Sequence, residues 1–126
     1  MRLQLSILEN LFTIHRFPAN HKIPNQVYEN EFYAISKTKN ELSIVCNSTT
    51  QLSSEKSESG WSCIKINGIL DFSLTGILSK ISTILAEAEI SIFAISTFDT
   101  DYILVKSEKL PFAKKALLVY GYKFND

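Results

Sequence analysis

The sequence has few of the residues that usually signal catalysis, metal binding or secretion. Its 126 residues include only two cysteines, Cys46 and Cys63, and two histidines, His15 and His21. Two isolated thiols without a CxxC spacing predict buried side chains in a reducing compartment, not a disulfide framework, redox centre or zinc site. No HExxH, GxSxG, Walker A or GxGxxG pattern occurs. We therefore predict a protein that is not an enzyme and that uses no cofactor or metal.

The chain also lacks an excess of charge of either sign. Thirteen basic and thirteen acidic residues give a formal net charge of zero. Nucleic-acid-binding proteins usually carry a basic patch, so the charge balance argues against RNA binding on an open sheet face. Only Arg2 and Arg16 could clamp an anion, and neither lies near the glycine-containing turn. That placement disfavours an acylphosphatase-like phosphate hydrolase.

Long apolar runs are missing as well. No run approaches the roughly 18 residues that a membrane-spanning helix requires, and the first residues lack the pattern of a signal peptide. The composition, 45% hydrophobic and 21% charged, is ordinary for a globular protein. We expect a cytoplasmic location and no membrane contact.

Helical spacing of apolar residues is clearest in residues 73–88. The residues in the predicted apolar stripe are Leu74, Ile77, Leu78, Ile81, Ile84, Leu85 and Ala88. The other predicted elements of the second half are strands at residues 61–67, 90–97, 102–106 and 122–124 and a helix at residues 110–120. Strand, helix, strand, strand, helix, strand is the ferredoxin-like arrangement of an α+β protein.

The first half has the pattern of a truncated copy of the second. It offers a strand within residues 3–17, a loop or helical turn at residues 23–28, and a hairpin formed by residues 32–36 and 42–46. The polar residues 48–60 predict a connector or a short exposed helix. We therefore predict two related halves, a truncated one at residues 1–58 and a complete one at residues 59–126.

Two segments of the second half could bind a ligand. The turn at residues 67–76 leads into the first predicted helix, where free amide groups and the positive helix end favour an anion. Asp71 there could cap the helix or accept a ligand ammonium. Residues 96–102 crowd two carboxylates and several hydroxyls, which ordinary turn chemistry also explains. Because Asp101 directly precedes an apolar strand, we expect its carboxylate to be held in place for a cationic group.

Three segments of the sequence resemble a known family, at residues 38–46, 60–78 and 85–105. The second segment contains Leu70-Asp71-Phe72-Ser73-Leu74-Thr75-Gly76. The third contains Ser96-Thr97-Phe98-Asp99-Thr100-Asp101-Tyr102. In these segments the chain resembles small bacterial ACT-domain proteins. Those proteins resemble in turn the ACT domains of the animal cytosolic arginine sensors. The resemblance covers nearly the whole chain.

The resemblance implies a ferredoxin-like fold, two ACT-like halves packed side by side, and amino-acid binding at an interface between ACT units. The ligand-binding residues that it implies are Asp71, Phe72, Thr75, Gly76, Ile77, Thr97, Phe98 and Asp101, with Ser43 and Ile44 from the other half. A carboxylate at the Asp101 position is implied to meet a ligand guanidinium. Many ACT domains have Pro-Gly where this chain has Thr75-Gly76, which leaves the choice of ligand open.

The resulting hypothesis is a non-catalytic regulatory or sensor module that binds an amino acid. The alternative is a structural or protein-interaction ACT module without a ligand. We also expect a homodimer, because sheet edges pair readily, through residues 92–95 or 102–105.

Overall fold

The computed structural model describes residues 4–67 and 76–125, which contain eight strands and two α-helices. The chain forms two compact units, an N-terminal unit, Asn10–Trp61, and a C-terminal unit, Met1–Glu9 with Ser62–Asp126. The predicted turn at residues 68–75 lies outside the described residues. Neither α-helix in the described ranges is long and apolar enough to cross a membrane.

The elements are β1 (Gln4–Ile7), β2 (Phe12–Phe17), β3 (Ala34–Lys37), β4 (Leu42–Asn47), β5 (Lys56–Ile66), α1 (Ile77–Glu87), β6 (Phe93–Ser96), β7 (Asp101–Lys106), α2 (Leu110–Val119) and β8 (Lys123–Asn125). Short 3₁₀ helices occupy Asn25–Glu29 and Ser107–Lys109. The predicted α+β, ferredoxin-like fold is confirmed.

The strands of the C-terminal unit follow the order β6-β7-β5-β1-β8. The strand β1 lies between β5 and β8: Leu5 pairs antiparallel with Ile66 and parallel with Phe124. A ferredoxin-like sheet would otherwise place its last strand directly beside its first. The short final strand is therefore an edge strand, as predicted, but its neighbour is β1.

Both helices of the C-terminal unit bury one face against this sheet. Their buried side chains join the strand residues in one core that contains Leu5, Ile64, Ile66, Ile81, Ile84, Leu85, Ile90, Ile103, Val105, Ala113, Leu117 and Tyr122. Pro111 lies in the first turn of α2, where its missing amide hydrogen is not needed. Gly121 follows the helix with a φ of 92°, a left-handed conformation that glycine adopts without strain.

The position of β7 corrects one prediction. β7 has hydrogen-bonded neighbours on both sides, β5 and β6, so residues 102–105 are not a sheet edge. The strand predicted at residues 90–97 is shorter, because Glu89 has a φ of 61° and Ile90 donates its amide to the carbonyl of Leu85. Residues 88–90 thus complete the end of α1, and β6 begins only at Phe93.

The N-terminal unit is an antiparallel sheet in the order β3-β4-β2-β5. Its core consists of Phe17, Val27, Leu42, Ile44 and Cys46. The order strand, short 3₁₀ crossover and hairpin is the one predicted for a truncated copy of the second half. The linear boundary between residues 58 and 59 stays a prediction.

The segment predicted as a connector or helix at residues 48–60 is partly strand, because β5 already begins at Lys56. The register between β2 and β5 shifts between Phe12, which pairs with Trp61, and Ile14, which pairs with Glu58. Gly60 sits at this bulge with a φ of 80°. A bulge that needs a left-handed residue explains why glycine ends the polar run.

Residues 48–55 are tied to the buried face of β2 by side-chain hydrogen bonds. Ser54 Oγ lies 2.8 Å from Nδ1 of His15, and Ser48 Oγ lies 2.8 Å from Oγ1 of Thr13. Nε2 of His15 is buried and has no hydrogen-bond partner. His15 therefore has a structural role in this unit.

Burial lowers the pKa of His15 below its ordinary value of 6.5. Because the folded state disfavours the charged ring, the unfolded chain binds more protons below pH 6.5, and stability is lost as the pH falls. We expect the free energy of unfolding to decrease between pH 7 and pH 5 by up to about 1.4 kcal/mol per pH unit. Urea titrations at several pH values measure this slope.

His15→Gln should flatten that slope, whereas His21→Gln, a change at an exposed ring, should leave it in place. Equal slopes in the wild-type protein and His15→Gln would contradict the assignment of the pH dependence to His15.

Candidate functional site

The turn between β6 and β7 is closed by hydrogen bonds between its first and last residues. The amide of Thr97 donates to the carbonyl of Thr100 at 2.8 Å, and the hydroxyl of Thr97 donates to the same carbonyl at 3.0 Å. The amide of Thr100 donates in return to the hydroxyl oxygen of Thr97 at 3.2 Å. These bonds leave the turn with little conformational freedom.

Thr100 also anchors the turn to the centre of the sheet. Its side chain is buried, and its hydroxyl donates to the carbonyl of Ile66, the last residue of β5. Beyond Ile66 the chain continues through residues 68–75 to Gly76 and α1. The β6–β7 turn is thereby fixed at the end of β5 from which the chain departs toward the helix.

Asp101 follows this turn as the first residue of β7. It pairs with Ser96 across the hairpin and is half-buried. Further along the strand, residues 103–105 are fully buried and hold β7 in register. Asp99, by contrast, is exposed on the turn itself. The structure thus holds one of the two carboxylates on the sheet and leaves the other in solvent.

The start of α1 supplies the second feature of the predicted site. Gly76 precedes the helix with a φ of 83° and is exposed, and Ile77 is half-buried against the core of the C-terminal unit. No acidic side chain lies in the first turn, and Gly76 provides no side-chain cap. The amides of this turn are of the kind that bind anions at helix ends. The predicted residues Asp71, Phe72 and Thr75 lie outside the described residues.

The titratable side chains beneath the turn are neutral at physiological pH. Burial, together with the nearby Cys63 and Asp99, raises the pKa of Tyr102. Burial raises the pKa of the Cys63 thiol to about 12, and it also raises the pKa of Cys46 in the N-terminal unit. Burial that raises the pKa of a thiol makes it a poorer nucleophile and a poorer metal ligand, and the effect is large for Cys63. Within residues 4–67 and 76–125 no three side chains cluster as a metal site.

The remaining predicted ligand residues have different surroundings. Thr97 and Phe98 are exposed on the turn, Phe98 with 80% of its surface accessible. Ser43 and Ile44 lie on β4 of the N-terminal unit. Ile44 is fully buried in the core of that unit, so its side chain packs there, and Ser43 is half-buried on the opposite face. Their ligand roles stay predictions.

The N-terminal unit repeats the hairpin of the C-terminal unit. In its turn the amide of Thr38 donates to the carbonyl of Glu41 at 2.9 Å, and the amide of Glu41 donates to the hydroxyl of Thr38 at 3.2 Å. The residue after this turn is Leu42, which pairs with Lys37 and is buried. Because the matching position in the other hairpin is Asp101, the carboxylate belongs to the C-terminal copy alone.

Thr100 is the residue of this site that sequence reasoning missed. The sequence does contain a pattern that points to this turn, because Thr97 and Thr100 are the first and fourth residues of a four-residue hairpin turn. Threonines at such positions favour hydrogen bonds between the hydroxyl and the backbone. That pattern predicts the local bonds of Thr97, but not the bond of Thr100 to Ile66, which depends on β7 pairing with β5.

Family models and solved structures identify the relatives of this chain. A model of the ACT domain matches residues 56–118, and a second model, for an N-terminal domain, matches residues 10–53. By sequence, no curated protein matches the chain.

Solved structures similar to the chain include a protein from Agobacterium tumefaciens, at 34% identity and a TM-score of 0.92, with 99% of this chain and 93% of that chain covered. A protein of unknown function from Vibrio cholerae, described as a possible transport protein, shares 21% identity at a TM-score of 0.69, covering 91% and 87%. The ligand-free regulatory subunit of aspartate kinase from Thermus thermophilus shares 10% identity at a TM-score of 0.64, covering 93% and 97%. The last two structures share the fold of this chain. With half of its residues matched by the family model and a 34% identical relative along nearly its whole length, the chain belongs to the ACT domain family.

Proposed function

We propose that this protein is a non-catalytic regulatory or sensor module that binds an amino acid. The observation that carries the proposal is the hydrogen bond from Thr100 to the carbonyl of Ile66. It ties the turn that bears Asp101 to the end of β5, from which the chain leads to the start of α1. A carboxylate and a helix N-terminus are the two partners that the opposite charges of an amino acid require.

In this proposal the amides at the start of α1 bind the α-carboxylate of the ligand. Gly76 leaves room there, since a Cβ at this position would meet no atom within 4 Å. Asp101 binds the ammonium group or a basic side chain, and Thr97 and Phe98 flank it. Asp71, Phe72, Thr75 and Ile77 complete the set, and Ser43 contributes if the ligand lies between ACT units. Arginine is a candidate, because a guanidinium can form two parallel hydrogen bonds with one carboxylate.

Supporting the regulatory role, the chain shares its fold with the regulatory subunit of the aspartate kinase of Thermus thermophilus. We further propose that the similarity to the ACT domains of the animal cytosolic arginine sensors, expected from the sequence, extends to an amino-acid ligand. A cytoplasmic location and a homodimer, both expected from the sequence, fit a sensor of free amino acids.

A thermal-shift screen of the twenty amino acids tests this function. A ligand that binds only the folded state at 100 times its Kd should add about 2.7 kcal/mol to the free energy of unfolding. Asp101→Asn should abolish the shift, because it removes the charge while keeping the shape. Asp99→Asn, two residues away on the exposed turn, is the matched control and should respond like the wild-type protein.

If no amino acid shifts the transition at millimolar concentration, ligand binding is refuted, and a structural or protein-interaction ACT module becomes the better description. If Asp101→Asn and Asp99→Asn lose the thermal shift equally, Asp101 is not the residue that binds the positive charge of the ligand.

A further inference from the structure

The helix α2 carries apolar residues on both of its faces. Its inner face packs into the core of the C-terminal unit through Ala113 and Leu117. The opposite face is exposed and contains one lysine among apolar side chains. The residues of this face, which we call the outer face of α2, are Pro111, Phe112, Lys115, Leu118 and Val119.

The apolar side chains of the outer face are widely open to solvent. The accessible fraction is 61% for Phe112, 51% for Leu118 and 75% for Val119. A surface helix usually presents polar side chains to water, and a helix that is apolar on all sides is usually covered. Exposed apolar side chains that are neighbours on a helix mark a contact surface, whereas single ones do not. The outer face of α2 thus has the character of a contact surface.

The charge of the same segment indicates the kind of partner. Residues 108–123 contain one acidic residue, Glu108, and four basic ones, although the whole chain has a net charge of zero. Within the described residues, no ion pair neutralises these four lysines, which are Lys109, Lys114, Lys115 and Lys123. Two copies of this face would bring lysine against lysine, so the charge favours an anionic partner over a second copy of the chain.

The shape of the outer face favours a lipid surface over an acidic peptide. A docked peptide usually occupies a groove or extends the edge of a sheet. A groove of about 410 Å³ does exist in this unit, beside α1, but none of the five residues of the outer face lines it. The outer face is the surface of a single helix, on which Nζ of Lys109 lies 5.8 Å from the centroid of the Phe112 ring. Helices that lie on membranes combine cationic and apolar side chains in this way.

We propose that the outer face of α2 binds the surface of a bilayer that contains anionic phospholipids. Phe112, Leu118 and Val119 enter the boundary between headgroups and acyl chains. Lys109 and Lys115 extend their long side chains to the lipid phosphates. The sequence predicts no membrane contact because it lacks a spanning segment, but a helix that lies on a bilayer needs none. The binding does not require an amino-acid ligand.

Co-sedimentation of the full-length chain with lipid vesicles tests the proposal. Vesicles made of phosphatidylglycerol and phosphatidylcholine in equal parts should carry the protein into the pellet, and vesicles of phosphatidylcholine alone should not. Raising the ionic strength from about 0.1 M to about 1 M should release the protein, because the Debye length falls from about 10 Å to about 3 Å.

Two pairs of matched variants assign the binding to the outer face. Leu118→Ser should lower the lipid partition coefficient about tenfold, because it removes an apolar side chain from the acyl boundary. Leu11→Ser, the same change at an exposed leucine of the N-terminal unit, should leave the coefficient unchanged. Lys115→Ala should lower it about fivefold, through the loss of one attraction to the anionic surface, whereas Lys39→Ala should not.

All four variants change exposed side chains, so the fold should be kept; circular dichroism and the melting temperature check this. If a second copy or an acidic protein covers the outer face instead, the chain stays in the supernatant with both kinds of vesicle, which overturns the proposal. Equal binding to vesicles with and without phosphatidylglycerol overturns it as well. So does a partition coefficient that Leu118→Ser and Leu11→Ser lower to the same extent.

Discussion

Leu5→Ala is expected to lower the free energy of unfolding by about 2–5 kcal/mol, the range for a large-to-small change in a well-packed core. Leu5 has no exposed surface and pairs on one side with Ile66 and on the other with Phe124. Shortening it opens a cavity at the point where β1 joins β5 to β8. Equilibrium denaturation in urea measures the effect.

Leu11→Ala is the matched control, because the same chemical change occurs at a side chain that is 43% exposed. Its effect should stay within about 0.5 kcal/mol. Similar losses for the two variants would show that β1 does not contribute to the core as the structure places it. A chain that begins at residue 59 lacks β1 altogether and should show no cooperative unfolding, because β5 and β8 then lose the strand that separates them.

The second large effect is expected for Thr100→Val, which keeps the shape of the side chain and removes its hydroxyl. The buried bond to the carbonyl of Ile66 is lost, and the free energy of unfolding should fall by about 1–3 kcal/mol. If the turn is also the ligand site, loss of this hydrogen bond should also reduce the thermal shift produced by the bound amino acid. Urea denaturation and the ligand screen provide the two readouts.

Thr100→Ser retains a hydroxyl at the same position and should recover most of both properties. A Thr100→Val variant with wild-type stability would show that the bond to Ile66 is not significant for folding. A Thr100→Val variant that is destabilised but keeps the full ligand response would show that the hydrogen bond from Thr100 to Ile66 is not needed for ligand binding.

Periodicity in the sequence predicts much of the C-terminal unit, because its helices and strands bury one face each. The apolar spacing within residues 73–88 locates α1, whose Ile81, Ile84 and Leu85 are buried. Pro111 and Gly121 likewise mark the two ends of α2. Such signals are local, and local interactions decide where these elements begin and end.

Strand neighbours were not predictable in the same way. Nothing in residues 4–7 indicates that they pair with two strands from distant parts of the chain. The polar start of β5 has the composition of a connector because strand formation there depends on pairing with β2, not on apolar alternation. For the candidate site, the carboxylate of Asp101 was predictable from its place before an apolar strand, whereas the anchoring bond of Thr100 was not.

The insertion of β1 also has a consequence for the order of folding. Residues of the N-terminal unit, Asn10–Trp61, are contiguous, so this unit can form as soon as it has been synthesised. The C-terminal unit cannot, because Leu5 must wait for Phe124 of the last strand. Contacts between such distant residues slow folding, since a long loop has to close before they are made. During synthesis, β1 can pair with β5 once residue 66 has emerged, but it lacks its second sheet neighbour until β8 follows. The sheet of the C-terminal unit is thus completed last.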